Sequence, residues 1–400
     1  MIILKFTKEQ EIIINKGVNH IKYGSDLVYE FTGIAGSGKT TIILEILKRS
    51  GIDMNKVAAC ALTGAASILL RFRGLPNSKT IHSLLYEPCE EYITDKNGRL
   101  VMDTYLNKPK TRLGFKPKDL YGIELIIVDE AYMVPEDVAN NIKSRNIKII
   151  AMGDSNQLPC IDGNPGFLKN SNCIDRLTIP MRQNINSSIL YIAQRTMLGL
   201  PIQKGFYPND VLVIDYDELT NDMILNASVV LCYKNSTREA INNKVRHELL
   251  GIKSTLPIYG DKIICKKNNW LLESDGINLV NGLTGYTLNS PSLEQNGKQF
   301  KLDFKPYLLN TPFLNLYCDY DFFIADSQRK KFISNSPYSR GEKFDFAYAT
   351  TVHSYQGSQA PYVVYIEECA GDIQNALNYT AVTRASKGLI YVKRKRKMYY

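Results

Sequence analysis

The stretch Gly33-Ile34-Ala35-Gly36-Ser37-Gly38-Lys39-Thr40 decides the fold of this 400-residue chain. It matches the pattern G-x-x-x-x-G-K-[ST], in which glycines let backbone N–H groups turn inward around the phosphates of a nucleotide. Lys39 would then reach the β- and γ-phosphates, and the Thr40 hydroxyl would bind Mg²⁺. The apolar residues 27–31 predict a strand before the loop, and residues 40–50 predict a helix after it that ends at Gly51. This order of elements predicts an α/β nucleotide-binding fold.

Composition and length predict a globular protein with room for two or three compact units. Hydrophobic residues make up 44% of the chain and charged residues 22%. No apolar run approaches the ~18 residues of a membrane span, and the first residues lack the apolar core and cleavage site of a signal peptide. The eight cysteines are scattered without a C-x-x-C pair, which predicts neither a zinc site nor a disulfide framework. We therefore expect a reduced, cytoplasmic protein without membrane contact.

The net charge of +9 is concentrated in part in the basic run KRKRK at residues 393–397. Such a tail can bind phosphate backbones, and it can equally be a solvated chain end. The sequence leaves both interpretations open.

Two later strands are predicted to end in polar side chains at one edge of a sheet. Residues 124–130 (ELIIVDE) are an apolar run that ends in Asp129 and Glu130, and residues 147–154 (IKIIAMGD) lead to Gln157. Open α/β sheets place their ligands at the carboxyl ends of the strands. We expect Asp129 to hold Mg²⁺, Glu130 to polarise the attacking water, and Gln157 to sense the γ-phosphate.

Further short motifs follow one another along nearly the whole chain. They are FTKEQ (residues 6–10), ALTGAA (61–66), TIHSLL (80–85), VDEAYMV (128–134), GDSNQLP (153–159), LTIPMRQ (177–183), ATTVHSYQGS (349–358) and YTAVTRA (379–385). In this order they resemble the motifs of superfamily 1 DNA helicases of the RecD/Dda type, the branch that moves 5′ to 3′ on single-stranded DNA. Tyr132 departs from the serine usual after D-E-A, and Ser354-Tyr355 departs from a lysine-serine pair. The second departure concerns a contact to DNA.

The resemblance implies ATP and Mg²⁺ as cofactors and assigns the site residues. The catalytic set is Lys39, Asp129, Glu130, Gln157, Arg182 and Arg384, with both arginines reaching the ATP held by the first lobe. The nucleotide-binding set is Gln10, Gly33, Gly36, Ser37, Gly38, Lys39, Thr40, Thr41 and Gly357. The metal-binding pair is Thr40 and Asp129. The nucleic-acid-binding set is Thr63, Gly64, His82, Pro159, Thr351, His353 and Ser354.

The resemblance also implies two RecA-like lobes with one insertion in each. The first lobe spans residues 1–82 and 123–184, and residues 83–122 insert a pin or wedge whose hairpin, over 91–102, turns at Asn97-Gly98. The second lobe spans residues 185–282 and 346–400, and residues 283–345 insert an SH3-like β-barrel. We expect the aromatic residues of this barrel, between Phe300 and Phe323, to form its core. Asp372 is predicted to cap a helix that ends at Gly388.

The sequence thus predicts an ATP-dependent DNA helicase that translocates 5′ to 3′ on single-stranded DNA and unwinds duplex DNA. Its expected partners are single-stranded DNA, the fork duplex and a single-strand-binding or replication protein, and it is expected to be a monomer. Two alternatives stay open, an RNA helicase of superfamily 1 and a nucleotide-binding regulatory protein without motor activity. Replication, recombination and repair all use such motors.

Overall fold

The computed structural model describes residues 5–95, 97–103, 108–161, 163–169, 174–181, 187–295, 297–334 and 341–394. Its α-helices are, in chain order, α1 (Lys8–Tyr23), α2 (Lys39–Ser50), α3 (Gly64–Phe72), α4 (Ile81–Leu85), α5 (Glu136–Lys143), α6 (Ser188–Met197), α7 (Asn221–Asn226), α8 (Asn235–Asn243), α9 (Tyr320–Ile324), α10 (Ser327–Ser334) and α11 (Gln374–Val382).

The strands are, in chain order, β1 (Val28–Gly33), β2 (Val57–Ala61), β3 (Ser78–Thr80), β4 (Tyr86–Tyr92), β5 (Met102–Asp103), β6 (Lys108–Pro109), β7 (Thr111–Pro117), β8 (Leu125–Asp129), β9 (Lys148–Gly153), β10 (Asp175–Leu177), β11 (Gly205–Tyr207), β12 (Val211–Asp215), β13 (Val229–Cys232), β14 (Lys262–Cys265), β15 (Asn269–Ser274), β16 (Ile277–Leu279), β17 (Thr284–Thr287), β18 (Gln299–Pro306), β19 (Phe313–Asp319), β20 (Phe344–Phe346), β21 (Ala349–Thr351), β22 (Ala360–Ile366) and β23 (Ala385–Lys393).

The first sheet is parallel throughout and has the strand order β10-β1-β9-β8-β2-β3. Strand β8 is buried along its whole length, as its unbroken apolar sequence predicts for a parallel sheet covered on both faces. Helix α2 follows the phosphate loop and ends at Gly51, whose φ of 72° lets its N–H donate to the Leu47 carbonyl. The predicted α/β fold and the predicted strand–loop–helix unit are confirmed.

The second sheet has the order β11-β12-β23-β22-β13-β21 and is parallel except for the edge pair β11–β12. The predicted helix after Asp372 is present as α11, but the predictions that Asp372 caps it and that it ends at Gly388 are wrong. Asp372 lies in a short 3-10 helix, Gly371–Ile373, and α11 ends at Val382. Gly388 lies in the central strand β23, where a Cβ would come within 2.9 Å of the Tyr362 ring. Close approach of neighbouring strands therefore accounts for this glycine.

A third, five-stranded antiparallel sheet has the order β19-β18-β17-β14-β20. It begins with β14, ahead of residue 283, where the sequence predicts the second insertion to start. Its core contains Phe300, Phe304, Phe313 and Phe323, all at most 4% exposed, which confirms the expectation for these rings. The expectation is wrong for Tyr307 and Tyr317, which are 54% and 49% exposed.

A long hairpin leaves the first sheet after α4. Strand β4 pairs antiparallel with β7, so that Tyr86 faces Pro117 and Tyr92 faces Thr111. The predicted turn is present at Gly98, with a φ of 77° and an N–H bonded to the Asp95 carbonyl at 3.0 Å. The hairpin is longer than the predicted range 91–102, because β4 pairs with β7, which lies beyond residue 102. The short strands β5 and β6 form a second antiparallel pair between them.

Within the described ranges, no helix combines the length and the apolar content needed to cross a membrane.

Candidate nucleotide site and nucleic-acid surface

The phosphate loop joins β1 to α2 and depends on two glycines in the left-handed region. Gly36 has a φ of 79°, and Gly38, the N-cap of α2, has a φ of 87°. With these angles the loop can direct backbone N–H groups at an anion bound in front of the N-terminus of α2, where the helix dipole also favours negative charge. The Lys39 ammonium lies over the loop and donates to the carbonyls of Gly33 at 2.7 Å and Ile34 at 3.3 Å.

Gln10 braces this loop from the amino-terminal helix. Its side-chain carbonyl accepts from the Thr7 N–H at 3.0 Å, which completes a capping box at the start of α1. Its amide Nε2 donates to the Ser37 carbonyl at 3.2 Å. The predicted nucleotide-binding glutamine therefore contacts the loop itself, and it is 5% exposed.

The two acidic residues lie where β8 ends, as the sequence predicts. Asp129 is buried, and Glu130 has the left-handed φ of 49° with its N–H bonded to Asp129 Oδ1 at 2.9 Å. Burial, together with the neighbouring charge of Glu130, raises the pKa of Asp129 to about 6 against the opposing effect of Lys39. A buried carboxylate of this kind favours a cation beside it.

A cavity of 350 Å³ brings the predicted groups from both sheets together. From the first sheet it is lined by Gly36, Ser37, Gly38, Lys39, Thr40, Thr41, Asp129, Glu130 and Gln157, and from the second by Gly357 and Arg384. Arg73, at the end of α3, and Met181 also line it. Arg73 lies outside the motifs, and Met181 lies within LTIPMRQ at a position to which the resemblance assigns no role.

Arg384 crosses from the second sheet to the first. It is 3% exposed and donates to the Gln157 side-chain carbonyl at 3.1 Å, to Ser358 O at 3.2 Å and to Thr380 O at 3.0 Å. Its guanidinium is thereby held rigidly at the wall of the cavity. Arg182, the other predicted arginine, lies outside the described residues, as do residues 395–397 of the basic tail.

Thr40 and Asp129 line the same cavity and supply the oxygen atoms that Mg²⁺ prefers. Over the described part of the chain, no three His, Cys, Asp or Glu side chains cluster to form a metal site. The donor set therefore fits a magnesium ion bound by one or two protein oxygens together with nucleotide phosphates.

Several predicted nucleic-acid residues have local structural roles. The Thr63 hydroxyl caps α3 by accepting from the Ala66 N–H at 3.3 Å, and the Thr351 hydroxyl contacts Ser354 Oγ at 3.0 Å. Gly64 is buried, and a Cβ there would lie 1.9 Å from Val280 Cγ2 beside the third sheet. Burial lowers the pKa of His353, whose ring lies 6.0 Å from that of Tyr233.

His82 lines a second cleft, of 260 Å³, between the first sheet, the long hairpin and the hairpin β15–β16. The same cleft contains Arg71, Lys79, Lys118 and Trp270, the single tryptophan of the chain. Burial, with the charges of Lys118 and Arg71, lowers the pKa of Lys79. Sequence reasoning missed these four residues because elements far apart in the chain bring them together.

Comparisons with known proteins agree with this architecture. A family profile described as an AAA domain matches residues 8–176, and one described as a UvrD-like helicase C-terminal domain matches residues 346–392. The RecD subunit of the RecBCD enzyme from Buchnera aphidicola is 23% identical over 425 residues, covering 90% of this chain and 69% of that protein. These matches support the resemblance of the chain to the superfamily 1 helicases of the RecD/Dda type.

Other similar proteins match at lower identity or over less of their length. An uncharacterized protein of Methanocaldococcus jannaschii is 28% identical over 155 residues, which are 36% of this chain and only 12% of that protein. Bacteroides Pif1 bound to single-stranded DNA superposes with a TM-score of 0.54 at 16% identity, covering 97% of this chain and 92% of that one. Pif1 from Candida albicans gives a TM-score of 0.52 at 16% identity, with coverages of 98% and 95%. The Pif1 structures share the fold.

Proposed function

We propose that this chain is an ATP-dependent DNA helicase that translocates 5′ to 3′ along single-stranded DNA and unwinds duplexes. The observation that carries the proposal is the 350 Å³ cavity, which a phosphate loop from one sheet and Arg384 from the other line together. A nucleotide in this cavity would touch both sheets, so its hydrolysis would change how tightly they close.

Each side chain of the cavity has a distinct task in this proposal. Lys39 binds the terminal phosphates, Glu130 orients and polarises the attacking water, and Arg384 offsets the charge of the transferring phosphoryl group. Gln157 accepts a hydrogen bond from Arg384 and thereby connects the nucleotide-binding edge of the first sheet to the second sheet. Thr40 and Asp129 would hold Mg²⁺, which neutralises phosphate charge when it is bound.

The nucleic-acid surface would run over the carboxyl ends of strands in both sheets. Thr63 follows β2, His82 follows β3, and His353 follows β21. The cleft beside His82 adds Lys79 and Lys118, whose positive charges suit a phosphate backbone. Trp270 in this cleft supplies an aromatic face on which a base can stack, and neither kind of contact reads sequence.

The likeness to RecD supports DNA as substrate and the 5′-to-3′ direction, and Bacteroides Pif1 has been crystallised bound to single-stranded DNA. We further propose that the hairpin β4–β7 is the pin that splits the duplex, and that the third sheet is the SH3-like unit that helps to hold the strand. The domain boundaries given from the sequence stay proposals, with the third unit enlarged to include β14.

Steady-state ATPase assays with single-stranded DNA, with single-stranded RNA and without nucleic acid test the proposal. We expect strong stimulation by DNA, because a strand that spans both sheets favours the closed cleft. Stimulation by RNA alone would support the RNA helicase alternative. An ATPase that no nucleic acid stimulates would support the regulatory alternative and contradict the motor.

Unwinding assays on duplexes with one single-stranded tail test direction and the pin. We expect unwinding from 5′ tails, and unwinding from 3′ tails alone would contradict the proposed polarity. Replacement of residues 93–110 by a short Gly-Ser linker should spare DNA-stimulated ATPase and translocation but reduce strand separation. Tyr121→Ser, which changes an aromatic residue that is 96% exposed after the hairpin, is the control and should leave all three rates unchanged.

A further inference from the structure

A phenol from the second sheet lies between two functional elements of the first. Helix α11 carries Tyr379, which is 3% exposed. Its hydroxyl accepts a hydrogen bond from the Ala35 N–H at 3.0 Å and donates one to Asp154 Oδ2 at 2.6 Å. Ala35 belongs to the phosphate loop and lies 344 positions away in the sequence, and Asp154 directly follows β9. These contacts exist only while the two sheets are together.

The direction of both hydrogen bonds follows from the groups involved. A backbone N–H can only donate and a carboxylate can only accept, so the single proton of the phenol points at Asp154. Burial and the Asp154 carboxylate hold the pKa of Tyr379 well above its usual range, so the phenol keeps that proton. The hydroxyl is therefore fully used by these two partners.

Asp154 also accepts hydrogen bonds from residues beside the cavity. Its carboxylate accepts from the backbone and side-chain N–H groups of Asn156 at 3.1 and 3.0 Å, and from Gln157 Nε2 at 3.5 Å. Gln157 in turn accepts from Arg384. Tyr379 and Arg384, one within α11 and one just after it, thus hold opposite ends of the segment 154–157.

We propose that Tyr379 is a positioning residue that transmits closure of the cleft to the phosphate loop. The inference rests on the proposed function, since it assumes that ATP occupies the 350 Å³ cavity. Tyr379 does not line that cavity but lies behind the loop, where it lines a separate cavity of 190 Å³ together with Gly33 and Ala35. Separation of the sheets removes one hydroxyl from both Ala35 and Asp154. The phosphate loop and the segment 154–157 are therefore held in the hydrolytic arrangement only in the closed state.

The test is Tyr379→Phe in the full chain, which keeps the ring and removes the hydroxyl. With poly-dT present, we expect kcat for ATP to fall about ten-fold, the loss expected for a hydrogen bond to a charged group. KM for ATP and the Kd for ADP should stay within two-fold of wild type, because Tyr379 does not touch the nucleotide. Hydrogen–deuterium exchange of residues 33–38 should become faster, because the Ala35 N–H loses its acceptor.

Tyr365→Phe is the matched control. Tyr365 is also buried in the second sheet, and its hydroxyl donates to Asn378 Oδ1 at 2.7 Å without leaving that lobe. It should leave kcat within two-fold and leave exchange of residues 33–38 unchanged.

Three results would overturn the proposed role of Tyr379: an unchanged kcat in Tyr379→Phe, equal losses in the two variants, or a loss of nucleotide affinity as large as the loss of kcat. A wild type without ATPase activity would overturn the proposed function and the coupling together, while the exchange of residues 33–38 would still report the contact. Failure of the positioning role and failure of the motor are thereby distinguished.

Discussion

The loops that precede α2 and α8 occupy comparable places in the two parallel sheets but treat negative charge differently. In the first sheet, the loop after β1 contains the left-handed Gly36 and Gly38 and opens onto the cavity. In the second, the backbone N–H groups of Tyr233 and Lys234, after β13, donate to the Glu368 carboxylate at 2.7 and 2.8 Å. The Glu368 carboxylate thus provides a negative charge at the start of α8. The start of α2 instead borders the cavity in which we propose that the nucleotide phosphates bind.

In the proposed function, this difference divides one reaction between two similar sheets. The first sheet would bind the nucleotide with its glycines and Lys39, and the second contributes two side chains, Arg384 and Tyr379, that contact the first sheet. A second phosphate loop would compete for nucleotide without aiding closure. In the second sheet, the Glu368 carboxylate occupies the position where a phosphate would bind to such a loop. The predictions below test this division, beginning with the largest expected effect.

Removing the cation of the first loop should have the largest effect. Lys39→Ala should lower kcat/KM for ATP by more than about 10⁴-fold, because the side chain binds both the ground state and the transition state of the phosphoryl group. Lys48→Ala, an exposed lysine on the same helix, makes the same change of charge and should have no effect. Steady-state ATPase assays measure both. Substantial turnover in Lys39→Ala would mean that the first loop is not the hydrolytic site.

Removing the contribution of the second sheet should affect turnover more than binding. Arg384→Lys should lower kcat by about 10³-fold, the lower end of the effect of an arginine finger, because lysine lacks the planar fork that holds Gln157. The Kd for ADP should change by less than about five-fold, since the first sheet supplies the phosphate contacts. Arg195→Lys, an arginine in α6 of the same lobe that bonds the Pro201 carbonyl, is the control. An equal loss of affinity and turnover would argue against the division between the sheets.

The parts of this architecture that the sequence predicts well are local. The strand before Gly33, the helix after Gly38 and the acids at the end of β8 are all confirmed, because each depends on neighbours within a few positions. The family resemblance supplied Arg384, and the structure brings it to the cavity wall, although its catalytic role stays a prediction.

The parts that the sequence does not predict depend on distant contacts. Tyr379 is the first residue of the motif YTAVTRA, but the resemblance assigns it no role, and its hydrogen bond to the phosphate loop spans 344 positions. The prediction of a helix end at Gly388 is wrong: glycine after a helical segment usually ends the helix, whereas Gly388 lies in a strand and leaves room for the Tyr362 ring of the neighbouring strand. Glu368 has no motif, since its importance comes only from the N–H groups that converge on it.

Removing the internal anion of the second sheet should affect stability and not nucleotide binding. Glu368→Ala leaves the N–H groups of Tyr233 and Lys234 and the Thr237 hydroxyl without their acceptor, which should lower the free energy of unfolding by about 2 kcal/mol. Urea denaturation measures this change, and the exposed Glu248→Ala is the control. The Kd for ADP should stay at the wild-type value. A weakened Kd would show that the second loop takes part in nucleotide binding.

The last effect, which depends on pH, should come from neutralising the buried acid of the first site. The pKa of Asp129 is about 6 in the folded chain and 3.8 as its ordinary value, so folding favours the protonated form. Below about pH 4 both states are protonated and no penalty exists, whereas above about pH 6 both are ionised and the folded state bears the full cost. Asp129→Asn should therefore raise the unfolding free energy of the nucleotide-free protein at pH 8, by at most about 3 kcal/mol, and the gain should shrink as the pH falls through 6 toward 5. Thermal unfolding at pH 8 and at pH 5 measures this change in stability, with Asp119→Asn, at an exposed position, as the control. A variant less stable than wild type at pH 8 would mean that the ionised carboxylate stabilises the empty site, so that the first loop, like the second, would already contain a balanced charge.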